Sequence, residues 1–164
     1  MLAYLSPARQ ADLITDILGG GASSRLFQVL VKEKQLFSNN ECYHFGTTDA
    51  GLLTIEGKLV KSVSMTAAEA AIEEELNKIK QSTITEKELQ KVKNKTESLI
   101  AFEDMSLTNR ANSLAYYTLL GNTGLINEEL GKYQAVTPED IRNEANIIFT
   151  DSNSSTMYYY GDGQ

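Results

Sequence analysis

At 164 residues, 41% of them hydrophobic and 23% charged, the chain has the size and composition of one domain, which buries roughly 70% of the surface its unfolded form exposes. A net charge of −7 repels a phosphate backbone, and no basic stripe interleaved with aromatics offsets it, which argues against nucleic acid as a partner. Cys42 is the only cysteine, so an intramolecular disulfide and a cluster of thiolate ligands are both excluded.

Along the chain, Met1–Leu5 is short and apolar, like the tail of a strand. Ser6 then Pro7 supplies an N-cap and a proline in the first helical turn, after which Ala11, Leu13, Ile14, Ile17 and Leu18 fall on one face of a buried helix. Gly19–Gly21 ends that helix, because glycine relieves the steric cost of a left-handed C-terminal residue. Ser23 is placed to cap a second helix whose apolar face is Leu26, Phe27, Leu30 and Val31, with Lys32, Glu33 and Lys34 toward water.

Alternation then replaces the helical period. Tyr43 and Phe45 alternate with Cys42 and His44 over 41–48, and Leu53, Ile55 and Leu59 alternate with Thr54, Glu56 and Lys58 over 52–60. Asp49-Ala50-Gly51 between them has hairpin length, so the two strands are expected to pair antiparallel. The second half reads as helices at 66–81, 85–103, 106–120, 127–134 and 138–149, the join at 104–107 being a kink. Three starts share one grammar, Thr66 with Glu69, Thr85 with Glu88 and Thr137-Pro138 with Asp140. Ser155–Tyr160, apolar and aromatic, reads as a closing strand. The class implied is α+β, a largely antiparallel sheet with helices on one face. A single domain over 1–164 follows, since no linker, repeat or single-sign run divides the chain.

Most site chemistries fail on inspection of the residues. A catalytic zinc takes three His, Asp, Glu or Cys ligands, and this chain has one histidine, His44. Cys42 and His44 share a strand face, yet no third group, nucleophile elbow or oxyanion loop accompanies them. Glu73-Glu74-Glu75 reads as a solvated helix face. The glycine run is followed by no G-K-[ST] and comes after a helix, not a strand, so it is no phosphate loop. No catalytic residue, no metal ligand set and no cofactor is expected in this chain. Nothing approaches the roughly 18 apolar residues of a membrane span, and no secretory leader is visible, which reads as a soluble chain, cytoplasmic or periplasmic.

LGGGASSRLF (18–27), ITEKELQKVKNKTESLIAFED (84–104), RANSLAYYTLLG (110–121) and AVTPEDIRNEANIIF (135–149) form an ordered set that resembles the pitrilysin/insulinase family of zinc metallopeptidases, which includes the processing peptidases. The resemblance covers nearly the whole chain. It implies a half-domain of that type, lacking its first strand or strands, whose active homologue carries the inverted H-x-x-E-H zinc motif. The C-terminal domain in such proteins is non-catalytic and helps hold an extended peptide across a closed chamber. On that resemblance this chain is a substrate-holding C-terminal domain of a zinc-dependent endopeptidase, inactive alone, with zinc in its partner domain. That partner lies in the same chain or in a partner subunit. The alternative is a non-proteolytic peptide-binding or assembly module.

The resemblance also points to residues. Gly19, Gly20 and Gly21 fall where processing-peptidase subunits that resemble this family carry an enlarged glycine-rich loop implicated in substrate entry, shorter here. Arg25 or Tyr43 is the residue that a small shift of the alignment would bring to the family's substrate-facing positions. The family's substrate-facing arginine and, seven residues on, tyrosine fall on Val31 and Ser38, neither of which replaces the usual donor. A chain lacking its first strand would expose a sheet edge and form homodimers through it.

Overall fold

A computed structural model describes residues 6–46 and 51–160. Helix α1 (Ser6–Gly19) lies at the centre of the core because its apolar residues recur at helical spacing, and Leu13, Ile14, Ile17 and Leu18 are all but inaccessible to solvent. It packs on a β-hairpin on one side and on later helices on the other. The hairpin is β1 (Phe37–Phe45) with β2 (Leu52–Leu59), antiparallel, with Cys42 opposite Ile55 and Phe45 opposite Leu52. An irregularity between Phe37 and Asn39 breaks the alternation, so Phe37 shares the buried face with Asn40 and Cys42 despite its odd number.

The helices α2 (Met65–Gln81), α3 (Glu86–Glu103), α4 (Leu107–Leu119), α5 (Glu129–Ala135) and α6 (Pro138–Ile148) follow in order. α6 packs against both α1 and α2, and α3 against α1 and α5. Their buried residues Ala68, Ala71, Ile79, Leu89, Val92, Ile141 and Ala145 join those of α1 in one cluster. This is the expected α+β arrangement, with helices on one face of an antiparallel sheet. No helix among the described residues is long and apolar enough to cross a membrane.

Local capping chemistry sets most helix starts. The Thr85 hydroxyl accepts from the Glu88 amide, and Thr137 with Asp140 forms a complete reciprocal capping box. Ser106 caps α4, so the expected kink at 104–107 is a break between two helices. α2 begins two residues before the Thr66 reading: Ser64 accepts from the Ala67 amide, and Glu69 is left to receive the Tyr158 hydroxyl. A 3-10 turn, Thr123–Asn127, precedes α5.

Three further expectations are corrected. The second helix is π-wound over Phe27–Glu33, with the Lys34 amide donating to the Val29 carbonyl five residues back. Ser23 does not cap it; its hydroxyl and carbonyl receive Lys91 Nζ. Ser155–Tyr160 forms no strand among the described residues. It has the propensity but no neighbour to complete a ladder, and Tyr159 is 86% exposed. The strand tail at Met1–Leu5, the side-chain cap reading of Ser6-Pro7 and the turn at Asp49-Ala50 lie outside the described residues.

Candidate functional site: a cleft between the glycine turn and an open strand edge

The glycine run is where α1 is pressed onto β1. A Cβ on Gly19 would lie 2.3 Å from the Cys42 Cβ and 2.4 Å from the Cys42 backbone nitrogen, so the helix end can approach the strand this closely only without a side chain. Gly21 sits at φ +117° with open space around it, which makes its requirement one of backbone conformation. α3 holds the turn from below: Lys95 Nζ donates to Asp16 Oδ1 at 2.6 Å and to the Gly20 carbonyl at 3.3 Å.

Between this turn and β1 lies a shallow cleft of about 390 Å³, lined by Gly19, Gly21, Ala22 and Phe27 on one side and by Asn39–Tyr43 on the other. Side chains alternate across a strand, so five consecutive lining residues mean that β1 presents its edge to the cleft. Among the described residues β1 pairs with β2 alone, leaving that edge with backbone donors and acceptors available. Asn40 is 7% exposed, and neither its Oδ1 nor its Nδ2 has a hydrogen-bond partner among the described residues. An unpaired buried amide of this kind costs about 1–3 kcal/mol.

The residues singled out from the sequence have distinct surroundings. Gly19 and Gly21 line the cleft, and Gly20 completes the turn behind it. The Arg25 guanidinium is held by Glu88 of α3 in a bidentate pair, both bonds 2.8 Å. That bonding raises its pKa further, against the opposing effect of burial. Arg25 therefore staples the π segment to α3 instead of reaching the cleft. Val31 is half-buried against the core, and the exposed Ser38 donates to the Lys58 carbonyl across the hairpin at 3.1 Å.

The donor set does not fit a zinc ion. No group of three His, Cys, Asp or Glu able to hold a metal occurs among the described residues. His44 Nδ1 lies 2.8 Å from Asp12 Oδ1, whose other oxygen accepts from the Tyr133 hydroxyl at 2.6 Å. Burial, reinforced by Asp16, pushes the Cys42 thiol up to about 12, so it stays protonated at neutral pH and is neither nucleophile nor ligand. Sequence reasoning missed the first half of β1, since Ser38, Asn39 and Asn40 are poor strand formers. Asn39 and Asn40 were thus absent from the expected site, as were Ala22 in the glycine turn and Phe27, which was read only as part of a helix's apolar face.

Residues 4–96, more than half of the chain, match the family described as the Peptidase M16 inactive domain. The chain belongs to that family. Among proteins similar to this M16 domain, the uncharacterized zinc protease YmxG of Bacillus subtilis (strain 168) is 30% identical over 140 residues, covering 85% of this chain and 34% of YmxG. The fold recurs in a protease from Helicobacter pylori, with TM-score 0.80, 24% identity, and coverage of 90% of this chain and 36% of that one. It recurs also in an inactive peptidase domain from Bordetella parapertussis, with TM-score 0.80, 19% identity, and coverage of 93% and 84%. This M16 domain spans about a third of the length of the curated relative it matches.

Proposed function

We propose that this M16 inactive domain holds an extended peptide for a zinc-dependent endopeptidase whose zinc and general base lie in a homologous H-x-x-E-H domain, in the same chain or in a partner subunit. The observation that carries the reading is the open β1 edge walled by the glycine turn. A peptide laid along that edge gains main-chain hydrogen bonds irrespective of its sequence, and the flexible-chain cost is offset because the wall is rigid. Gly19, Gly20 and Gly21 keep the wall low enough for a backbone to approach, while Arg25 supports it through Glu88. The open edge also supports pairing between two copies of the isolated chain.

Val31 and Ser38 favour a second reading, a peptide-binding or assembly module without proteolysis. Neither supplies a donor to a developing oxyanion: Val31 packs on the core and the Ser38 hydroxyl is spent on Lys58. The test is fluorescence anisotropy of an unstructured, dye-labelled peptide with the 164-residue chain. Binding that weakens at least tenfold when Ala22→Trp fills the cleft supports a holding role, and binding unaffected by that change defeats it. Adding an H-x-x-E-H domain then separates the readings, since zinc-dependent cleavage supports the first and binding without cleavage the second.

A further inference from the structure

The second half of the molecule carries a surface that the cleft does not use. From Met105 to Asn127 the only charged side chain is Arg110, in a chain that is 23% charged overall. α4 buries none of its residues, and its main packing is against the 3-10 turn that follows it. Leu107 is 81% exposed and Leu119 80%, while Phe102 and Met105 at the end of α3 are 72% and 79% exposed. A helix that were merely solvated would be polar all round or carry charged pairs on its outer face; this one sets Leu107, Leu114, Tyr116 and Leu119 in solvent among uncharged Thr and Asn side chains, with Arg110 its one charge.

The arm is nevertheless fully formed. Ser106 caps α4, and the Asn122 side chain caps the 3-10 turn. Between them is a cavity of about 360 Å³ whose lining includes Asp104, Arg110, Leu114, Thr123, Ile126 and Asn127. Arg110 takes part in no ion pair among the described residues. Exposed apolar area, depletion of charge and one uncommitted arginine beside a pocket are the features of an interface centre.

We propose that the α3–α4 arm is the docking surface for the H-x-x-E-H domain, which meets it with an apolar face and places a carboxylate against Arg110. This rests on the partner-domain reading above. Two observations select that occupant over a second copy. Longer relatives carry about two thirds of their length outside the part this chain matches, so a domain of the needed size accompanies it there. A second copy would meet this arm with the same apolar side chains and the same Asp104 and Arg110, against the mutual repulsion of two bodies of net charge −7, and any pairing of copies is expected at the open β1 edge.

The test is isothermal titration of the 164-residue chain with the H-x-x-E-H domain encoded by the same gene or its neighbour. Leu119→Glu and Arg110→Glu should each weaken binding at least tenfold, with the Tm of the isolated variants unchanged because both side chains are exposed. Wild-type affinity in both variants overturns the proposal, as does the absence of any such domain or of binding to it. Self-association abolished by Leu119→Glu overturns it too, because a second copy would then be the occupant. Peptide anisotropy keeps the two readings apart. Docking lost in these variants with peptide binding intact in the wild-type chain sustains both; docking lost in these variants with no peptide binding by the wild-type chain sinks only the holding role.

Discussion

Replacing Asn40 by leucine should stabilise the domain. The side chain is buried on the inner face of β1, and both of its polar atoms lack partners among the described residues. Folding therefore strips water from an amide and returns nothing, a penalty of about 1–3 kcal/mol. Leucine has nearly the same branched shape, so Asn40→Leu removes the penalty without opening a void. For a chain of this size the gain corresponds to about 3–9 °C in Tm. The chain has no tryptophan, so urea unfolding followed by far-UV circular dichroism is the suitable assay, with an unchanged slope and a higher midpoint expected. Asn40→Ala separates the contributions, since it removes the amide but leaves a cavity and should gain less or lose. A midpoint for Asn40→Leu at or below that of the wild type would refute the reasoning and mean that ordered water satisfies the amide.

The glycine turn makes a graded prediction. Gly19→Ala must push α1 off β1 and should cost at least about 1–3 kcal/mol, whereas Gly131→Ala in α5, where an added Cβ meets nothing within 4 Å, should be neutral or gain about 0.5–1 kcal/mol; equal midpoints for the two in urea would contradict the close approach at Cys42. The raised Cys42 pKa predicts that stability is complete below pH 9 and falls between pH 9 and about 12. In that window the unfolded thiol has lost its proton and the folded one keeps it. Cys42→Ser should flatten that part of the pH–stability curve, and an unchanged alkaline limb would tell against the burial argument. Thr137→Ala dismantles the capping box of α6 and should lower stability by about 1 kcal/mol, read as a shift in urea midpoint, with no shift if the box contributes nothing.

What could be read from the sequence was local. Thr85 and Thr137 cap where expected because their partners lie three residues on, and the hairpin was visible from alternation together with the short stretch between its strands. Ser64 displaced Thr66 because two cap-competent residues stood within one turn and tertiary packing chose between them. The π winding of Phe27–Glu33 was hidden, since Leu26 and Leu30 are buried under either winding. Ser155–Tyr160 has the composition of a strand, but a ladder needs a neighbour that composition cannot supply. At the site, the glycines were legible as a turn, whereas the Arg25–Glu88 pair joins residues 63 positions apart, and the Asp12–His44–Tyr133 network joins three separate elements. Those contacts decide that Arg25 supports the cleft and that His44 is fixed by a carboxylate, and neither has a local signature.

The central claim, that this M16 domain holds peptide and leaves zinc chemistry to another domain, is tested most directly by equilibrating the purified chain with zinc and a quenched fluorogenic peptide, then measuring bound metal, bound peptide and cleavage together. The account predicts saturable peptide binding, no stoichiometric zinc and no cleavage. Tight zinc at one ion per chain, with cleavage abolished by a chelator, would contradict it.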